Sequence, residues 1–255
     1  MEHLQAIIFD VDGTLADTEN IHRIAFNMAF NKHGLDWQWS KKEYTRLLSV
    51  SGGFERMKCY SREPRGIANR PYSDKLIKTI HRTKSDIYAQ LLLSSNIKLR
   101  PGIGRLIAEA RRDDIQLAIA TNTNQENVEI LLNKNLPEDW KSWFTTIETS
   151  NTVMAKKPSP AIYLEILKKI RVEPSHAVAL EDTENGLSAA KAAGIGAVIT
   201  THQFTRHSKF PEALLVVDSA GSPSSPFKIL NGKAIEERWL TVAVLDKLLN
   251  QKSST

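Results

Sequence analysis

QAIIFDVDGTLADTE, residues 5–19, is the stretch that decides the fold. Its apolar, β-branched opening ends in two aspartates one residue apart, Asp10 and Asp12, and Gly13 follows at once. The composition is that of a buried strand, and the glycine marks the turn that closes it. In open α/β sheets, ligands bind just beyond the carboxyl ends of the strands. Two carboxylates placed there repel each other and are costly to desolvate unless a cation sits between them. A one-residue gap aims the side chain of Asp10 and the backbone of Asp12 at one spot.

Five more short apolar runs repeat the pattern: QLAIA (116–120), FTTIE (144–148), AVAL (177–180), GAVIT (196–200) and LLVV (214–217). Helical candidates separate most of them, namely 103–112, 126–134, 160–170 and 184–194. Strand and helix alternating without hairpin signals predict an α/β fold, with a parallel sheet covered on both faces. The rhythm breaks once. About a hundred residues between QAIIF and QLAIA carry no strand-like run and read as amphipathic helices at 18–34, 41–50 and 73–95. Gly34 and the pair Gly52–Gly53 read as helix stops there. We therefore expect a core of residues 1–15 and 99–255 and a helical insertion at 16–98, hung on two linkers in the manner of a lid. The Ser/Pro-rich segment 219–231 reads as loop, and 234–251 as a closing helix.

Composition bounds the rest. The 41% hydrophobic fraction permits a large core, and 25% charged residues is ordinary for a globular chain. Cys59 stands alone, so a disulfide framework is excluded and a reducing, cytoplasmic setting is expected. No apolar run approaches membrane length, and the opening residues lack the layout of a signal or transit peptide. The net charge of +5 is unevenly spread. Residues 16–98 hold 15 Lys/Arg against 8 Asp/Glu, whereas the remainder holds 19 against 21. A basic insertion beside an acidic strand end suits a small polyanion. Basic–aromatic interleaving is absent, so a nucleic-acid partner is not expected; the chain is expected to act as a monomer.

Polar residues recur where a parallel sheet places its site. Thr121 and Asn122 follow QLAIA, Glu181 and Asp182 follow AVAL, and Lys157 precedes a proline at a helix entry. Together they describe phosphoryl transfer. Asp10, Asp12, Asp182 and Glu181 offer the hard oxygen ligands that Mg²⁺ prefers. Asp10 is placed to attack phosphorus, and Asp12 to protonate the leaving oxygen and then deprotonate water. Thr121 and Asn122 can donate to phosphoryl oxygens, and Lys157 can neutralise their charge.

DVDGTLADTE (10–19), Thr121–Asn122, KKPSPAIY (156–163) and ALEDTENGLSAAKAAG (179–194) resemble the four motifs of the haloacid dehalogenase-like superfamily, in family order. The resemblance implies a Rossmannoid core, a helical cap inserted after the first motif, and Mg²⁺. It also implies Asp10 as nucleophile, Asp12 as acid/base, Thr121 as phosphate ligand, Lys157 as the third-motif lysine and Asp182 as a metal ligand. The chain is similar to the CbbY family of sugar-bisphosphate phosphatases in DTENIHR (17–23), KKEYTRLLSVSGGFERMK (41–58), IHRTK (80–84), LRPGI (99–103) and TRHSKF (205–210). That family's described substrate is xylulose-1,5-bisphosphate, an inhibitory by-product of the carbon-fixing enzyme Rubisco. By this resemblance Arg56, with Gly52 and Gly53, would grip a distal phosphate, and Asp17, His22, Tyr44, Arg46, Arg82, Lys84 and Arg100 would line the substrate. Phe54 departs from the lysine expected in the family's glycine motif, and Asp17 stands where a glutamate is found in a close member. Thr18 and His22 also resemble the hinge pair of β-phosphoglucomutase-type enzymes, so a phosphosugar mutase is the alternative activity.

Overall fold

The structure, a computed structural model, describes residues 3–63, 72–232 and 235–250. It forms two compact units, residues 1–17 with 97–255, and residues 18–96. Among the described residues no helix is long and apolar enough to cross a membrane.

The first unit is built on seven strands: β1 (Ala6–Phe9), β2 (Gln116–Ala120), β3 (Thr146–Glu148), β4 (Ala177–Glu181), β5 (Gly196–Thr200), β6 (Leu215–Val217) and β7 (Ile229–Gly232). Their order is β3-β2-β1-β4-β5-β6-β7. All neighbours are parallel except β6 and β7. The core helices are α5 (Ile103–Arg112), α6 (Gln125–Asn133), α7 (Ala161–Ile170), α8 (Glu184–Ala192) and α9 (Val242–Asn250), numbered after the four helices of the second unit. Side chains alternate across a strand. Ala6, Ile8, Ala118, Ala120, Ala177 and Ala179 accordingly pack with Tyr163, Ile166, Leu187 and Ala190 of α7 and α8. The alternate residues Ile7, Phe9, Leu117, Ile119, Val178 and Leu180 are equally buried, so water reaches neither face of the central strands.

Register decides where the site lies. Phe9 is level with Ile119 on one side and Leu180 on the other. The next residues of the three strands, Asp10, Ala120 and Glu181, therefore leave the sheet in one row. Here the strand order also reverses, the switch point at which open sheets bind ligands.

Three local readings need correction. Ile229–Gly232 is not loop but an antiparallel edge strand on β6, with a register shift at Val216/Val217. Its side chains are mostly exposed, so it lacks the apolar signature of a strand. The last helix begins at Val242, eight residues later than the sequence suggests; residues 234 and 251 lie outside the described set. Phe227 N donates to Arg238 O and Leu240 N to Ala220 O, which keeps the segment before Val242 extended. Gly53 opens a helix rather than ending one.

The second unit holds α1 (Glu19–Lys32), α2 (Lys41–Leu47), α3 (Gly53–Ser61) and α4 (Asp74–Ser94). Trp39 is fully buried at its centre, with ring centroids 4.6 Å from Phe26, 4.9 Å from Phe30 and 5.4 Å from Tyr60. Gly53 lies against this cluster. A Cβ there would come within 2.8 Å of His81 Nε2 and 3.1 Å of Phe26, so the close approach needs glycine.

Arg100 ties the first unit together. Its Nη1 donates to Gly13 O and, at 2.9 and 3.0 Å, to Thr200 O and Oγ1. Its Nη2 donates to Thr201 O at 2.5 Å and Asp218 O at 2.8 Å. Burial pulls its pKa below the ordinary arginine value, against the fields of Asp182, Asp17 and Asp218. A buried guanidinium spent on these acceptors acts as a structural clamp. Each buried acceptor left unpaired costs about 1–3 kcal/mol, so Arg100→Met is expected to lower unfolding stability by about 3 kcal/mol or more. Urea denaturation without substrate checks this. Unchanged stability with weakened substrate binding would return Arg100 to a ligand role.

Candidate active site

At the row of strand ends, Lys157 is the hub. Its backbone N donates to Asn122 Oδ1 at 3.2 Å, and its Nζ to Ala120 O at 2.7 Å, so two contacts fix it to the end of β2. The buried ammonium then reaches Asp10 Oδ1 at 2.7 Å and Glu181 Oε1 at 2.5 Å. Tyr163 donates its hydroxyl to the same Glu181 oxygen at 2.6 Å. Glycine makes room for the cluster, since a Cβ on Gly186 would sit 1.9 Å from Glu181 Oε2. Thr183 caps α8 by accepting from Gly186 N at 3.1 Å, which sets Glu181 and Asp182 just before a helix N-terminus.

Asp10, Glu181 and Asp182 are buried and offer oxygens within 4.8 Å of one another. One ammonium does not neutralise three carboxylates. Burial raises the Asp10 pKa well above its ordinary value; Lys157 pulls it down, and Glu181 and Asp182 push it up again. Burial alone would lower Lys157, but the charges of Asp10 and Glu181 outweigh it and leave the lysine raised and protonated. The excess negative charge and the all-oxygen donor set fit a hard divalent cation. Asp12 is half-buried and its carboxylate is not in this group; it pairs by a backbone bridge with Ala16. Thr121 is buried, receives a hydrogen bond on Oγ1 from Thr123 N at 3.1 Å, and is anchored by its own N to Glu148 O at 3.0 Å.

Of the other predicted residues, Asp17 is exposed and belongs to the first unit. Within the second unit, Tyr44 donates to Glu19 Oε2 at 2.6 Å and accepts from Arg56 Nη1 at 3.0 Å. Arg56 also donates to Val50 O, which keeps it over Gly52 and the first turn of α3. His22 stacks on Tyr88 at 3.8 Å, and its Nδ1 lies 2.7 Å from Lys84 Nζ. An ammonium only donates, so His22 accepts at Nδ1 and carries its proton on Nε2. Arg46 is an exposed residue paired with Glu43 and Glu63 at 2.6 and 2.8 Å. Arg82 is exposed on α4.

Sequence reasoning missed four polar contributors: Glu19, Tyr163, Thr14 and His202. His202 follows β5 and holds Asp182, so the strand-end rule that found Thr121 and Glu181 applied to it too. Tyr163 lies inside KKPSPAIY, where its apolar neighbours gave it the look of a core residue.

A model of the haloacid dehalogenase-like hydrolase family matches residues 4–194. The plasmid-encoded protein CbbY of Cupriavidus necator is 44% identical over 248 residues, 95% of each chain. The crystal structure of CbbY from Rhodobacter sphaeroides with phosphate superposes with a TM-score of 0.77 at 44% identity, covering 85% of this chain and 94% of that one. The same values hold for an aspartate-to-asparagine variant of that protein in complex with xylulose-1,5-bisphosphate. The family model and the extent of the likeness show that the chain belongs to the haloacid dehalogenase-like hydrolases and, among them, to the CbbY proteins.

Proposed function

We propose that this chain is a Mg²⁺-dependent phosphatase that removes phosphate from a sugar bisphosphate, xylulose-1,5-bisphosphate first among them, through an aspartyl-phosphate. The observation that carries the reading is Asp10, held 2.7 Å from Lys157 beside Glu181 and Asp182 at the sheet's switch point. The substrate is suggested by the Rhodobacter sphaeroides relative that binds it.

In this reading Asp10, Glu181 and Asp182, with the backbone of Asp12, hold Mg²⁺, which when bound supplies positive charge between the carboxylates and an anionic phosphate. The Asp10 carboxylate attacks phosphorus, and the bond from phosphorus to the sugar oxygen breaks. Asp12 gives that oxygen its proton, then takes one from the water that attacks the aspartyl-phosphate. Inorganic phosphate leaves and Asp10 is regenerated. Thr121 and Asn122 donate to phosphoryl oxygens, and Lys157 both orients Asp10 and offsets the charge that develops. Arg56, with Gly52 and Gly53, selects the second phosphate; His22, Tyr44, Asp17 and Arg82 complete the sugar contacts. The chain acts as a cytoplasmic monomer, as a metabolite-repair enzyme beside carbon fixation.

A panel of phosphosugars assayed for phosphate release tests the reading. Wild type with Mg²⁺ should release phosphate from xylulose-1,5-bisphosphate in preference to monophosphates, and Asp10→Asn should release none. Isomerisation of a sugar monophosphate without phosphate release would favour the mutase instead. Arg56→Ala should lower kcat/KM for the bisphosphate at least about tenfold, the loss of one charge-assisted phosphate contact, and for small monophosphates by about twofold or less. Equal losses on both would remove Arg56 from selection.

A further inference from the structure

We propose that His202 is a positioning residue of the metal site, holding the Asp182 carboxylate in the orientation that a divalent cation requires; the inference rests on the metal site of the proposed function. His202 is buried, two residues beyond β5, with Nε2 2.9 Å from Asp182 Oδ2. Its tautomer follows from its other contact. Phe204 N donates to His202 Nδ1 at 3.4 Å, so Nδ1 accepts and the proton sits on Nε2, directed at the carboxylate. Thr14 Oγ1 stands 3.5 Å from the second oxygen, Oδ1. Lys157 orients Asp10 and Glu181; His202 and Thr14 do the same for Asp182.

The imidazole is itself immobilised. Its backbone N donates to Thr205 Oγ1 at 3.1 Å, and its carbonyl accepts from Thr205 N and Arg206 N at 3.0 and 2.9 Å. The preceding residue is pinned on both sides, Thr201 N to Val217 O and Thr201 O to Arg100 Nη2. The Phe204 ring lies edge-on at 6.0 Å. Space for the contact is reserved by Gly13, at φ +87: a Cβ there would fall 2.3 Å from Asp182 Oδ2 and 2.8 Å from His202 Nε2. A side chain that fixes the rotation of a metal-binding carboxylate is part of the site's affinity, and losing such a partner typically weakens metal binding about 10–100-fold.

Electron paramagnetic resonance of free Mn²⁺, titrated into metal-free protein without substrate, reads this separately from turnover. His202→Phe keeps the ring and removes the donor; His202→Gln restores a donor at the position of Nε2. His202→Phe should weaken Mn²⁺ binding about tenfold or more, and His202→Gln should recover most of it, with the metal-free thermal midpoint of His202→Gln unchanged. Mn²⁺ binding by His202→Phe as tight as by wild type would overturn the inference, as would His202→Gln binding no better than His202→Phe. Absence of Mn²⁺ binding by wild type, or equal binding by Asp182→Asn, would instead overturn the metal site on which it rests.

Discussion

A single ammonium, Lys157 Nζ, lies between two buried carboxylates, with a third carboxylate beside them. Much of the surrounding structure is what such a cluster demands. Removing one partner of a buried ion pair typically costs about 3–5 kcal/mol, because an uncompensated charge stays behind. The lysine therefore has a carbonyl and an asparagine to hold it, Glu181 has a tyrosine hydroxyl, and Asp182 has a histidine. Glycines stand at the two places where a Cβ would strike a carboxylate, Gly13 and Gly186. Those contacts still leave an excess of negative charge, which adds to burial in keeping the Asp10 pKa raised. That imbalance and the all-oxygen donor set suit a hard divalent cation.

The sheet was legible because each central strand is a short apolar run, and its reactive residues follow directly on it. Asp10, Thr121, Glu181 and Asp182 could be placed at one edge from strand order alone, since parallel register brings strand ends level. The parts that sequence alone did not reveal have particular physical causes. β7 is a four-residue edge strand with exposed side chains, so it is held by backbone pairing to β6 and leaves no pattern. Arg100 looks like any cation beside a Pro-Gly turn; its acceptors come from residues 13, 200, 201 and 218, which no local reading assembles. Arg46 sits in a stretch that resembles a ligand-binding family segment, yet its guanidinium is taken up by Glu43 and by Glu63, seventeen residues on.

In the proposed function the two units divide the chemistry and the selectivity. The sheet unit carries the groups for phosphoryl transfer, whereas the helical unit carries the basic charge expected to recognise a second anion. Within it, polar residues are joined rather than scattered. Glu19, Tyr44 and Arg56 form one hydrogen-bonded chain, and Lys84 is buried against His22 with the faces of Phe26 and Tyr88 each 4.8 Å away. Rings that attract a cation reduce what it costs to bury the lysine. In the proposed function such pre-oriented groups would lose little entropy on meeting a ligand and so discriminate better than solvated lysines.

The central claim is that Asp10 becomes covalently phosphorylated, and trapping tests it most directly. A turnover mixture quenched in acid and reduced with borohydride converts an aspartyl-phosphate to homoserine, which peptide mass spectrometry locates. Homoserine should be found at position 10, in the presence of substrate and Mg²⁺ only. Substrate-dependent homoserine at position 12 or 182, or its absence from every aspartate during active turnover, would contradict the claim.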